Sequence, residues 1–197
     1  QLSRDMNVQY KTAFVLSHKI REALYKQQNN DKFSGIIEID GSYFGGFLKP
    51  KNKKENRVDR RLEVNKNDKE KCVVVLKELS EDRKNDRTRI TITSSENTKE
   101  IKPFVRANVL ENSKIYADEN PAYDILIANY NLKRVNHSEE YKNFKNHACI
   151  NQAESFFSRM ERSNIGQHHH WSPEYLLYYA NELAYREDMR RKDNRVI

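Results

Sequence analysis

Residues 35–40 read Gly-Ile-Ile-Glu-Ile-Asp, an apolar run that ends in an acid and is followed at once by Gly41. A β-branched apolar run bounded by glycine predicts a strand. Because side chains alternate along a strand, Glu38 and Asp40 are expected on the same face. An acid in such a position needs a partner or a metal ion if it is buried, which makes Asp40 the first candidate functional residue.

The rest of the chain adds strands first and then alternating helices and strands. Further strands are predicted at residues 72–79, 88–93, 114–118 and 133–136, and helices at 97–109, 121–130, 151–162 and 173–191. Three antiparallel strands followed by alternating helices and strands is the order of an RNase H-like fold. We therefore expect an α/β domain over residues 35–191, with a mixed five-stranded sheet flanked by helices.

Residues 1–28 predict a short N-terminal helical segment, because apolar residues recur there at helical spacing after a polar break. Two interpretations are open. The segment is either the C-terminal part of a helix-turn-helix or an ordinary amphipathic hairpin. In the first case Gln9, Lys11 and Thr12 open the recognition helix and contact DNA.

Net charge, cysteine positions and the lack of long apolar stretches limit the classes of protein to which this chain can belong. The formal net charge is +7, which suits an anionic partner such as nucleic acid. Cys72 and Cys149 are far apart in the chain, which argues against a disulfide framework and a cysteine zinc site. No stretch has the length of a transmembrane helix and no signal peptide leads the chain, so we expect a cytoplasmic protein without a membrane partner.

Two further acids have the setting that metal-dependent chemistry on nucleic acid requires. Asp118 ends the predicted strand Lys-Ile-Tyr-Ala-Asp, and Glu154 lies in the first turn of a predicted helix. Mg²⁺ prefers oxygen ligands, and carboxylates from separate elements can hold two such ions for phosphoryl transfer. The alternatives are a helix N-cap for Asp118 and a solvated helix face for Glu154.

Several motifs, in this order along the chain, resemble the ISXO2-like (IS1595-type) transposases of the DDE superfamily. They are a first-acid motif at residues 38–46, a second at 116–123, the strand and loop at 135–141, a third-acid helix at 151–158 and closing blocks at 165–170 and 179–186. The resemblance covers nearly the whole chain. It implies an RNase H-like DDE catalytic domain preceded by the tail of a helix-turn-helix.

The resemblance also implies a function. Asp40, Asp118 and Glu154 would form the catalytic triad and hold Mg²⁺ or Mn²⁺, as two ions. The protein would cleave double-stranded DNA at the ends of an insertion element and join those ends to target DNA. It would work as a homodimer or higher oligomer on DNA, in the bacterial cytoplasm at the nucleoid. The alternatives are an inactive transposase-derived DNA-binding protein and an RNase H-like nuclease that only hydrolyses.

Three positions depart from the pattern of the relatives. Gly41 stands where Glu is common, and Glu161 stands where a Lys often follows the third acid, so that Arg162 is left as the DNA phosphate contact. Some relatives carry Asn in place of the third acid, which makes Asn151 an alternative ligand.

Two histidines complete the candidate site. His137 and His147 are expected at its edge, where they would orient water or phosphate. The alternative for both is a hydrogen-bonded structural histidine.

Overall fold

A computed structural model describes residues 1–46, 52–59, 62, 69–135 and 150–192. Its centre is a five-stranded sheet formed by β1 (Ile36–Phe44), β2 (Lys71–Leu79), β3 (Arg87–Thr93), β4 (Lys114–Ala117) and β5 (Asn131–Arg134), in the order β3-β2-β1-β4-β5. The pairs β1–β2 and β2–β3 are antiparallel, whereas β1–β4 and β4–β5 are parallel. This order and these directions are those of the RNase H-like fold, which confirms the expected fold class.

The two central strands are buried on both faces. In β1, Ile37 and Ile39 are fully buried, and in β2 the consecutive residues Val73, Val74 and Val75 are fully buried. Strands covered on both sides carry near-continuous apolar runs of this kind.

Helices cover the two faces of the sheet. On one face lie α3 (Thr98–Asn108) and the 3₁₀ helix Pro121–Ala128, which contribute Ile101 and Tyr123 to the core. On the other face lie α4 (Asn151–Ser163) and α5 (Leu176–Met189). The sheet is therefore the middle layer, and its ends are the places where side chains of both layers can meet.

Three predicted elements differ from the structure. Strand β1 does not end at Asp40 but continues to Phe44, because residues 41–44 stay paired with β2. The helix predicted at residues 121–130 is a 3₁₀ helix. The last strand lies at Asn131–Arg134 rather than at 133–136, because its register against β4 pairs Lys114 with Asn131.

The N-terminal segment consists of α1 (Leu2–Asp5) and α2 (Tyr10–Lys26), as expected for a short helical segment. Helix α2 packs against α5. The Nε atom of Arg21 donates to Glu182 at 2.6 Å, and the ring of His18 contacts the rings of Tyr175 and Tyr179. The position of α2 on the sheet domain is therefore fixed by an ion pair and by aromatic packing.

None of the helices in the described ranges is long and apolar enough to cross a membrane.

Candidate active site

Asp40 lies on β1, and Asp118 directly follows the adjacent parallel strand β4. The pairing of β1 with β4 joins Glu38 to Tyr116, and the same register continued by two residues brings Asp40 beside Asp118. Neighbouring strands are about 4.8 Å apart. Because β4 ends at Ala117 while β1 continues to Phe44, β1 has no paired strand on the β4 side beyond Asp40, which leaves an opening there. This opening at the carboxyl end of β4 is where a ligand is expected in such a sheet.

Local hydrogen bonds orient both carboxylates. The backbone N–H of Gly41 donates to Oδ1 of Asp40 at 2.8 Å, and that of Asn120 donates to Oδ1 of Asp118 at 3.0 Å. Asp118 is not the N-cap of the following 3₁₀ helix, because the side chain of Asn120 accepts from the backbone of Ala122 there, at 2.9 Å. The capping alternative for Asp118 is therefore wrong.

The electrostatics of Asp40 indicate that several acids converge on it. Burial, together with the negative charges of Asp118, Glu96 and Glu154, raises the pKa of Asp40 to about 8 against the lowering effect of the Gly41 N–H. Carboxylates from β1, from the segment after β4, from the turn before α3 and from α4 thus act on Asp40 at the end of the sheet. Such a group is destabilised when all its members are ionised, unless a cation lies among them.

Helix α4 carries Glu154 in its first turn, and Phe156, Phe157 and Met160 form its buried face. The helix begins against β1. Oε2 of Glu38 accepts hydrogen bonds from the backbone N–H groups of Gln152 at 2.8 Å and of Ala153, at 2.9 Å.

Glu38 therefore satisfies two free donors of the helix N-terminus and complements its positive end. Burial raises the pKa of Glu38 to about 7, and the two N–H groups act against that rise. Glu38 stands two residues before Asp40 on the same face, so it joins the first-acid strand to the third-acid helix. The sequence predicted the shared face but not this contact.

Glu96 is a fourth acid that the sequence did not single out. It lies in the turn between β3 and α3, where its carboxylate accepts a hydrogen bond from the Tyr123 hydroxyl. Burial raises the pKa of Glu96, and the charge of Asp118 adds to the rise. No local pattern marks Glu96, because the residues that surround it come from other elements.

The donor chemistry of this site fits a hard divalent cation, since Asp40, Asp118 and Glu154 are all carboxylates and Asp40 is buried beside like charges. Within the part of the chain that the structure describes, no three His, Cys, Asp or Glu side chains stand close enough together to hold an ion as they are placed. The negative charges of the acids thus affect one another, but their side chains as placed do not form a complete set of metal ligands.

The other candidate residues lie apart from one another. Asn151 and Arg162 are exposed at the first turn and the last turn of α4. Gln9, Lys11 and Thr12 are exposed at the start of α2.

His137 and His147, the two histidines expected at the edge of the site, fall outside the described residues. Three consecutive histidines occupy positions 168–170. The ring of His168 packs against Trp171 and Tyr179.

Asp40 gives the site a testable dependence on pH. Its folded-state pKa near 8 exceeds the ordinary value of 3.8, so the folded protein holds an extra proton between these values and loses stability as the pH rises through them. We expect Asp40→Asn to unfold at a higher temperature than the wild type at pH 8 in EDTA. Each kcal/mol gained corresponds to roughly 2–4 °C.

Calorimetric scans at several pH values measure this difference. It should vanish only as the pH falls well below 3.8, where the carboxyl is protonated in both the folded and the unfolded state. Glu38 titrates in both proteins, so the comparison isolates Asp40. If Asp40→Asn unfolds at a lower temperature than the wild type at pH 8, the charge of Asp40 does not destabilise the metal-free folded state.

A family model described as the ISXO2-like transposase domain matches residues 32–188. Among solved structures, the crystal structure of the Mos1 strand transfer complex is similar to 88% of the chain at 13% identity, with a TM-score of 0.32. The chain spans 58% of the length of that Mos1 chain. The search of curated proteins found no match.

Proposed function

We propose a function for this chain, which belongs to the family of ISXO2-like transposase domains. It cuts DNA at the ends of an insertion element and joins those ends to target DNA, with divalent metal ions bound at the acid site. The observation that carries the proposal is that Asp118 follows the strand paired with that of Asp40, while the charges of Asp118 and of Glu154, in the first turn of α4, both act on Asp40. Residues 35–191 are the proposed catalytic domain.

The proposed site has a role for each acid. Asp40, Asp118 and Glu154 would hold Mg²⁺ or Mn²⁺, as two ions in this proposal. When bound, these ions supply activation of the attacking oxygen and stabilisation of the leaving oxygen. Asp40 gives up its proton before it can serve as a ligand, so cation binding near neutral pH should release protons.

The protein scaffold would position these acids. Glu38 holds the first turn of α4, and with it Glu154, against the strand that carries Asp40. The Gly41 and Asn120 N–H groups fix the orientation of Asp40 and Asp118. Chemistry of this kind depends mainly on positioning and on charge stabilisation.

Assays on end DNA separate the proposal from its alternatives. A labelled duplex with a 3′-OH donor end and a supercoiled target plasmid should yield joined products in Mg²⁺. Cleavage without joining would contradict the proposal in favour of a hydrolytic nuclease. DNA binding without cleavage would contradict it in favour of an inactive DNA-binding protein. We also propose that the protein acts at the nucleoid and that two copies bring two DNA ends together. Light scattering of the DNA complex tests the number of copies.

The N-terminal segment is the proposed reader of end DNA, as the C-terminal part of a helix-turn-helix over residues 1–28. Replacing Gln9, Lys11 and Thr12 together with Ala should lower affinity for end DNA by at least about tenfold, because side chains that contact bases are removed. Fluorescence anisotropy with end and scrambled duplexes measures both affinity and preference.

Lys19→Ala is the matched control, since Lys19 is exposed on the same helix and carries the same charge as Lys11. It should weaken binding to both duplexes equally and only slightly. If the triple variant keeps the full preference for end DNA, the segment is an ordinary helical hairpin.

Arg162 is the proposed phosphate contact beside the acid site, because it is exposed in the last turn of the helix that carries Glu154. A phosphate contact contributes affinity without sequence preference.

A further inference from the structure

Gly41, which directly follows Asp40 on β1, has no room for a side chain. A Cβ built on Gly41 would lie 2.7 Å from Oε1 of Glu96 and 3.2 Å from Sγ of Cys72. The first distance is shorter than a Cβ contact allows, so Glu96 or the strand would have to move. The carboxylate of Glu96 thus occupies the space that a side chain at position 41 would need.

This carboxylate is held in place from several directions. The hydroxyl of Tyr123 donates a hydrogen bond to it. The backbone N–H of Glu96 donates to the hydroxyl of Tyr43 at 3.1 Å. Tyr123 is fully buried, so its ring cannot swing away with the carboxylate. The contact between Glu96 and Gly41 is therefore fixed rather than made by a loose side chain.

The partners of Glu96 come from the segments that bear the first two acids. Gly41 and Tyr43 follow Asp40 on β1, and Tyr123 follows Asp118 after β4. One carboxylate thereby joins the backbone just after Asp40 to the turn just after Asp118. It does so on the α3 side of the sheet, whereas Glu154 approaches from the α4 side.

We propose that Glu96 is a positioning residue of the acid site, which ties the strand after Asp40 to the turn after Asp118 and adds a fourth negative charge for the attraction of divalent cations. This inference rests on the proposed function. Outer carboxylates that orient metal ligands typically change metal affinity by about 10–100-fold when they are replaced.

The test is a titration of the full chain with Mn²⁺, in which electron paramagnetic resonance reports the free ion. Glu96→Gln keeps an oxygen that can accept from Tyr123 but loses the charge, and it should weaken Mn²⁺ binding by at least about tenfold. Tyr123→Phe keeps the charge but releases the carboxylate, and it should weaken binding by a smaller factor. Thermal unfolding in EDTA checks that each variant is folded.

Glu119→Gln is the matched control, because Glu119 is exposed and directly follows Asp118. It should keep Mn²⁺ affinity within about twofold, since a nearby charge in solvent is screened. Wild-type affinity in both Glu96→Gln and Tyr123→Phe would overturn the inference. If Glu96→Gln does not fold, the result for Tyr123→Phe decides.

Asp40→Asn separates this inference from the proposed function. If Asp40→Asn loses Mn²⁺ and the Glu96 and Tyr123 variants do not, only the role of Glu96 is wrong. If Asp40→Asn also binds Mn²⁺ like the wild type, the proposed metal site is wrong, and the inference with it.

Discussion

Asp40→Asn and Asp118→Asn should each lower the rate of Mg²⁺-dependent strand cleavage by at least about 1000-fold. The reason is that an amide in place of either carboxylate removes a negative ligand from the point where the acids converge. A bound metal ion contributes several kcal/mol of transition-state stabilisation, and each 1.36 kcal/mol corresponds to about tenfold in rate. Single-turnover cleavage of end DNA measures the loss.

A surface acid provides the matched control for this effect. Asp124 is exposed on the 3₁₀ helix after Asp118 and pairs with Arg134, so Asp124→Asn makes the same chemical change outside the site. Its cleavage rate should lie within about twofold of the wild-type rate, because an exposed ion pair contributes little to stability. All three variants should bind end DNA with similar affinity. Cleavage that persists in both Asp40→Asn and Asp118→Asn would show that these acids do not form the active site.

Glu187→Gln should be the most destabilising of the changes considered. Oε1 of Glu187 lies 3.4 Å from Nζ of Lys77 and Oε2 lies 2.7 Å from Nε of Arg159, while Arg190 pairs with it from the next turn of the chain. The side chain of Lys77 is only 1% exposed. Burial lowers the pKa of Lys77, and the charges of Glu187 and Asp188 counteract that effect.

Removal of one partner from a buried ion pair leaves the other charge uncompensated, which costs roughly 3–5 kcal/mol. For a chain of this length, the unfolding midpoint of Glu187→Gln should therefore fall by on the order of 10 °C. Because Arg159 lies on α4, the change also loosens the helix that carries Glu154. Thermal unfolding by circular dichroism measures the shift.

Lys77→Met is the informative control, because it removes the buried charge and leaves Glu187 with Arg159 and Arg190. Because Glu187 keeps two arginine partners, Lys77→Met leaves no buried charge without a partner, and we expect a smaller loss of stability than for Glu187→Gln. If Lys77→Met lowered the unfolding midpoint more than Glu187→Gln, the buried lysine and not the carboxylate would be the centre of this network.

The features of the site that follow from local patterns were predictable from the sequence. Alternation along β1 placed Glu38 and Asp40 on one face, and the end of β4 placed Asp118 at the edge of the sheet. The helix predicted at residues 151–162 placed Glu154 in its first turn, where the structure has it. Each of these inferences uses residues that are neighbours in the chain.

The contacts that complete the site were not predictable in this way. Glu38 accepts from Gln152, which is 114 residues away, and the side chain of Glu96 bonds to Tyr123, which is 27 residues away. Both depend on how distant elements pack, which no local periodicity encodes. The same reason explains the misplaced last strand, whose position follows from its backbone pairing with β4 rather than from its apolar residues.

The central claim is that acids from separate elements share metal ions at one end of the sheet. Anomalous diffraction from crystals grown with Mn²⁺ tests it most directly, because it locates the ion independently of the protein atoms. We expect an ion with carboxylate oxygens of both Asp40 and Asp118 at about 2.0–2.4 Å, with Glu154 facing the same site. Ions bound only elsewhere, with no ion between Asp40 and Asp118, would contradict the claim.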